Sequence, residues 1–178
     1  TTDFNEGKLN SGISRLTSKE FAQRLLDGLD RDLPATVGKW ARRYLWDKNY
    51  SETRTPEVPS AIIETLSHQN FPDMLLGQDP NFKFAMARSL YKTIARFVNE
   101  GHGRPTFIQP LTPHAFSLGF TAENTVRLKW QATEDALEPT AHPTAYVVYT
   151  SMGNSGYDNG TVVRQPSYDI SITPGVQY

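Results

Sequence analysis

The feature that most constrains the fold is a change of hydrophobic period at Gly101-His102-Gly103. Before it, apolar residues recur at helical spacing; after it, they alternate as in strands. One kind of element cannot satisfy both periods, so the chain reads as two domains, 1–103 and 104–178.

In the first domain, Asp79 and Pro80 form a helix start. The aspartate can cap free N–H groups, and a proline at the first helical position gives up only a donor that would be unpaired anyway. Phe84, Ala87, Tyr91, Ile94 and Val98, widened by Leu90 and Phe97, predict an apolar helical stripe that ends at Gly101. A second amphipathic helix is predicted from the capping-box spacing of Thr17 and Glu20 to about Asp30, with Phe21, Leu25, Leu29, Ala22 and Leu26 on its apolar face. The polar stretch before it, with Gly7 and Gly12, reads as a loop. The aromatic stretch 40–50 allows two roles: a groove for sugar rings, or packing in a core or at its rim.

Between the helices lies TPEVPSAIIETLSHQN, residues 55–70. Val58, Ala61, Ile62 and Ile63 predict a short buried parallel strand, with Pro56 and Pro59 at its entry, where a missing N–H does least damage. Glu64 follows directly, and charged groups at the ends of buried strands are where open α/β sheets place their chemistry. Glu64 reads either as a catalytic carboxylate or as an ion-pair partner of Arg54 or Lys83. His68 can act as a substrate contact or proton carrier, or stand as a solvated loop residue. Arg54 can hold a substrate carboxylate or brace a neighbouring acid. Asn70 reads as a residue that orders the loop.

Taken together, the apolar strand, Pro-Ser-Ala-Ile-Ile-Glu, the asparagine six residues beyond the glutamate and the closing helix resemble the C-terminal end of the zinc-dependent N-acetylmuramoyl-L-alanine amidases. Arg54, Pro59, Glu64, Thr65 and Asn70 fall in register with that family's pattern, over roughly residues 13–100. The resemblance implies an α/β domain whose last helix packs back on the sheet, and a Glu64 that works beside the metal as general base or electrostatic partner of a zinc-bound water. Arg54, His68 and Asn70 are then candidate substrate contacts. Where the family has Gly-Phe-Leu-Ser, this chain has Leu66, Ser67, His68 and Gln69. The family's histidine, glutamate and histidine ligands precede this region, yet no histidine precedes His68. A catalytic zinc needs about three protein ligands, and His68, His102, His114 and His142 are too widely spaced for a helical pair. Zinc is therefore expected to be held by ligands upstream of this chain, with none supplied by it.

In the second domain, strands are predicted near 107–111, 115–120, 125–133, 144–151, 161–164 and 168–172, separated by polar turns such as GNSGYDNG. Val126, Leu128 and Trp130 alternate with Arg127 and Lys129, as in a half-buried antiparallel strand. The class is an all-β sandwich. Its details resemble a fibronectin type III domain: the Val126-Leu128-Trp130 strand, the Tyr146-Val148-Tyr149 strand, and an end at Ile172–Tyr178 like the approach to a tyrosine corner. The resemblance covers residues 105–178 and implies two further strands, so this domain is expected to need its continuation, or a partner segment, for stability.

The composition is that of an ordinary soluble domain pair, 38% apolar and 21% charged with net charge −1. No apolar run approaches the ~18 residues that would suggest a membrane span. Near-neutrality argues against a nucleic-acid binder. The absence of cysteine removes disulfides, thiolate catalysis and thiolate metal sites. The expected setting is periplasmic or extracellular in a bacterium, with peptidoglycan or another polysaccharide as partner alongside the upstream and downstream segments of the same protein. Three functions stay open: a zinc hydrolase of the amide between N-acetylmuramic acid and the stem peptide, a non-catalytic carbohydrate or cell-surface binding protein with a degenerate amidase-like domain, and polysaccharide processing of the kind labelled xanthan lyase.

Overall fold

The computed structural model describes residues 7–178. The chain divides into two compact units after Thr106. Among the described residues the first unit contains helices, connecting segments and one isolated antiparallel bridge, Lys8 to Ser14, and the second contains antiparallel strands and turns.

In the first unit, α1 (Leu16–Val37) packs against α4 (Pro80–Gly101), with two short helices, α2 (Ser51–Arg54) and α3 (Phe71–Leu76), between them in sequence. Helix α1 starts earlier and ends later than its sequence suggested. Arg15 occupies the N-cap without a side-chain bond, so Thr17 lies inside the helix and the expected capping box is not formed. The helix runs past Asp30 through Pro34, which sits in the last full turn, and ends at Gly38 with φ 75°. There the missing proline N–H costs a single bond, to the Asp30 carbonyl. Helix α4 starts as expected: Asp79 accepts from the Asn81 N–H at 2.9 Å, Pro80 is the first residue, and the helix ends at Gly101.

The core of this unit is Leu29, Leu33, Phe82 and Met86, flanked by Val37, Trp40, Leu66, Leu76, Ala85 and Leu90. Phe21 meets Phe97 at 4.6 Å between ring centroids, and Trp40 meets Phe82 at 6.2 Å. The face of α4 turned to α1 is therefore Phe82, Met86, Ser89, Lys92 and Thr93. The stripe read from the sequence, Phe84, Ala87, Tyr91, Ile94 and Val98, lies on the roughly opposite side at 3.6 residues per turn, and its large members are 39–59% exposed.

Gly28 sets how closely the helices approach, because a Cβ there would stand 2.4 Å from Thr93 Oγ1. At the same crossing Lys92 Nζ lies 3.0 Å from Asp32 Oδ2, with both side chains almost wholly buried, and Arg31 Nε donates to Asp32 Oδ1 at 2.8 Å. Burial pushes the Asp32 carboxyl up, but hydrogen bonds from Arg31 and Lys92 outweigh it and hold the group below its ordinary value.

The expected parallel strand at 58–63 is not formed. The segment has no sheet partner among the described residues, and Val58, Ile62 and Ile63 are exposed. A buried strand needs neighbours on both edges and both faces, and the described residues of this unit offer it only α1, through the Ser60 N–H to Ser18 Oγ at 3.2 Å. The α/β sheet expected for this domain is thus absent among the described residues.

In the second unit, β1 (His114–Ala122), β2 (Thr125–Gln131) and β5 (Ser167–Ser171) form one sheet in the order β1-β2-β5. Strands β3 (Tyr146–Val148) and β4 (Thr161–Val163) form another. All pairings are antiparallel. Residues 107–111, expected as a strand, lie outside the sheets. Val126, Leu128 and Trp130 form the core, and Tyr146, Val148 and Val163 of the second sheet pack on them together with Tyr168, Ile170 and Ile172. Trp130 meets Tyr146 edge to face at 5.2 Å, a favoured aromatic arrangement. An irregularity in β1 between His114 and Ser117 contains Ala115 at φ 52°, the backbone signature of a bulge.

The two sheets cover each other incompletely. Leu118 and Phe120 pair across from Leu128 and Val126, which puts them on the face that β2 buries, yet they are 65% and 71% exposed. At the end of the unit Tyr178 Oη accepts the Thr173 N–H at 3.1 Å. This is the type of bond, tyrosine hydroxyl to a nearby backbone group, that defines a tyrosine corner.

Candidate functional site

The segment from Arg54 to Asn70 is held at its two ends and open between them. At the entry, Arg54 donates to Asn49 Oδ1 at 2.9 Å, and its carbonyl accepts from Arg15 Nη1 at 3.0 Å. Arg15 also lies 3.6 Å from Glu57, whose other oxygen accepts the Asn10 N–H at 2.7 Å. These contacts tie the segment to the loop before α1.

At the exit, Asn70 is the N-cap of α3, its side chain accepting from the Asp73 N–H at 3.5 Å, while Asp73 accepts the Ser67 N–H at 2.9 Å. These two bonds satisfy donors on both sides of the turn. Asn70 is thus a loop-ordering residue, as its type suggested. Leu66, one of the residues that departs from the amidase pattern, packs against the helical core, and its Cδ1 would stand 3.1 Å from a Cβ at Gly77. The altered loop therefore has a packing role that a glycine cannot supply.

Between the ends, Glu64 is exposed, and no ion pair joins it to Arg54 or Lys83. His68 is exposed on the turn that follows. The structure orders Arg54 and Asn70 through separate partners, Asn49 and Asp73, and so assigns both a role in shaping the segment that bears Glu64 and His68.

Among the described residues no three histidine, cysteine, aspartate or glutamate side chains converge to hold a metal ion. The resemblance places the zinc ligands upstream of these residues, so this absence does not test them. No helix is long and apolar enough to cross a membrane.

Two further features escaped the sequence reading. The buried Asp32–Lys92 pair has a charge-perturbed carboxylate, which marks many catalytic groups, but its side chains are only 3% and 2% exposed, so no substrate reaches them. Its signal was legible: Asp32 falls on the Leu25-Leu29-Leu33 face, where a charge needs a partner. In the second unit an open depression of about 360 Å³ is lined by Ser117, Lys129, Trp130, Gln131, Gln165 and Ser167. It contains no histidine or carboxylate that would serve as acid or base.

The aromatic stretch divides between the core and the surface. Trp40 packs on the core, whereas Tyr44, Trp46 and Tyr50 point outward, 70%, 53% and 47% exposed. No family model matches this chain, and searches of curated proteins and of solved structures also return no match.

Proposed function

We propose that this chain is part of a secreted bacterial cell-wall hydrolase that cleaves the amide between N-acetylmuramic acid and the stem peptide, with Glu64 as the proton-accepting carboxylate. The observation that carries this reading is the state of Glu64. It is solvent-accessible and unbraced, at the end of an extended apolar segment, and is followed by an Asn70-capped turn and a long helix. A carboxylate so placed can take a proton from a water attacking an amide carbonyl, a role that contributes about 10²–10⁴ in rate. His68 is the substrate contact of this reading, whose metal ligands are expected upstream of this chain.

Two uncovered surfaces support the further proposal that each unit is completed by other segments of the same protein. The outer stripe of α4 and the unpaired 58–64 segment together suit the face and edge of a sheet. Leu118 and Phe120, with the sheet order β1-β2-β5 against β3-β4 and the Tyr178 bond, suit a fibronectin type III sandwich in which additional strands cover β1.

The test is release of new amino termini from purified peptidoglycan by the native, zinc-supplied polypeptide and by its Glu64→Gln variant. The expected result is release by the native protein and a loss of at least 100-fold in the variant. Equal rates would remove Glu64 from the chemistry.

A second reading, a non-catalytic binder of cell-surface carbohydrate, is favoured by the outward aromatic residues 44–50 and by the packing role taken by Leu66. Retention on peptidoglycan without release of amino termini would establish it over the first.

A further inference from the structure

Residues 40–50 have no regular secondary structure. Leu45 and Asp47 are half-buried, whereas Tyr44, Trp46, Lys48 and Tyr50 are exposed. The Tyr44 and Trp46 rings are parallel within 4° at 5.6 Å between centroids, and Lys48 Nζ lies 5.3 Å from the Trp46 ring centroid. The result is a ladder of two rings and a cation in water, where each element alone would gain more by packing elsewhere.

The surrounding charge is mainly positive. Lys39, Arg42, Arg43 and Lys48 fall within ten residues whose only carboxylate is Asp47, in a chain of net charge −1. Arg42 is paired with Asp30, and Lys39, Arg43 and Lys48 are exposed.

We propose that residues 43–50 bind a carboxylate-bearing polysaccharide. Pyranose rings present a face of weakly positive C–H groups, which lie on the negative face of an aromatic ring as an aromatic edge does. Tyr44, stacked on Trp46, supplies such a face, and Lys48 beside Trp46, with the exposed Arg43 next in sequence to Tyr44, meets the sugar carboxylates. Charge complementarity selects an acidic glycan over a neutral one. Single-stranded nucleic acid also uses aromatic platforms with cations, but it requires a positive groove that tracks many phosphates, and here the positive charge is confined to this short strip. The proposal is independent of Glu64.

The test is titration of the full chain with oligogalacturonate, followed by tryptophan fluorescence and calorimetry. A neutral cello-oligosaccharide of equal length and an oligothymidylate serve as competitors, and Glu64→Gln is run in parallel. The expected result is saturable binding of oligogalacturonate, unchanged in Glu64→Gln and weakened at least tenfold in Tyr44→Ala/Trp46→Ala. Arg43→Gln/Lys48→Gln is expected to flatten the salt dependence, and this second variant serves if circular dichroism shows the first to be misfolded. Binding absent at millimolar ligand, equal binding of the neutral oligosaccharide, tighter binding of oligothymidylate, or full affinity in both variants would each overturn it.

Discussion

Strand β2 buries Val126, Leu128 and Trp130 on one side and shows Arg127 and Lys129 on the other. Helix α4 buries Phe82, Met86, Ser89, Lys92 and Thr93 against α1 and leaves Phe84, Tyr91, Ile94 and Val98 exposed on its other side. A strand has two faces, so polarity alone decides which one is inside. A helix has a full circumference and can bear two stripes that each suit a neighbour. In α4 the stripe that finds its neighbour in α1 is the one with the small and ionic residues, because Gly28, Ser89 and Thr93 admit close approach and Lys92 is required by Asp32. The sandwich core is an apolar interdigitation, whereas the helix pair adds a neutralised charge to its apolar cluster of Leu29, Leu33, Phe82 and Met86.

The sharpest way to break this comparison is to remove the charge partner. Lys92→Met leaves Asp32 buried beside Arg31 alone, and breaking a buried pair costs about 3–5 kcal/mol. Asp32→Leu combined with Lys92→Met should recover most of that loss, since well-packed apolar replacements of buried pairs are often neutral or stabilising. Urea unfolding followed by circular dichroism reads both, and a neutral single variant would show that the crossing does not depend on the pair. The pH dependence follows from the same group. The folded protein holds the Asp32 carboxyl below its ordinary value, so the unfolded chain binds the proton more tightly. The stabilisation is complete above the ordinary carboxylate range and is lost as pH falls through the folded-state value. The acid limb of a Tm–pH curve should be shallower in the double variant.

A matched pair of truncations tests whether the outer stripe of α4 is free. Leu128→Ala should cost about 2–4 kcal/mol, as buried leucines do. Ile94→Ala, at a position 42% exposed, should cost below about 1 kcal/mol. If Ile94→Ala costs as much as Leu128→Ala in the native protein, the stripe is covered there, and α4 is sandwiched between α1 and another element.

A smaller effect is expected at the helix crossing itself. Gly28→Ala places a methyl group 2.4 Å from Thr93 Oγ1 and should cost about 1–3 kcal/mol as overpacking. Adding Thr93→Ala removes the atom in the way and should restore part of the loss. No loss in Gly28→Ala would mean that the helices separate at little cost, and the crossing would then be set by the ion pair alone.

The legible and illegible parts of this chain divide along the same line as its two cores. Five of the six strands and the Asp79-Pro80 helix start follow from local rules, because alternation and capping act within a few residues of sequence. The strand expected at 58–63 does not form among the described residues, because a parallel strand exists only through neighbours distant in sequence. The α4 stripe read from the sequence faces inward only at its edge, where Leu90 packs on the core and Phe97 meets Phe21; Phe84, Tyr91, Ile94 and Val98 stay exposed because Phe82, Met86 and the Asp32-paired Lys92 form the side that meets α1. At the candidate site, Asn70 was legible as a turn residue from its own chemistry. The partners of Arg54 were not, since Asn49 is brought to it by the helical turn of α2. Residues 44–50 were legible as aromatic but not as outward, a distinction set by which of Trp40, Tyr44 and Trp46 reaches Phe82.

The smallest predicted effect bears on the end of the sandwich. Tyr178→Phe keeps the ring and removes the acceptor for the Thr173 N–H, both residues being largely exposed. Water can replace the lost partner there, so the cost should be about 0.5–1 kcal/mol, near the net value of one hydrogen bond. A loss well above that would mean that the N–H is shielded in the native protein, as it would be if further strands closed over the turn. The same experiment thus reports on the uncovered Leu118 and Phe120 face: a costly Tyr178→Phe together with a costly Leu118→Ala would place the second unit inside a larger sandwich. Two inexpensive substitutions would leave it a sheet pair with one open apolar side.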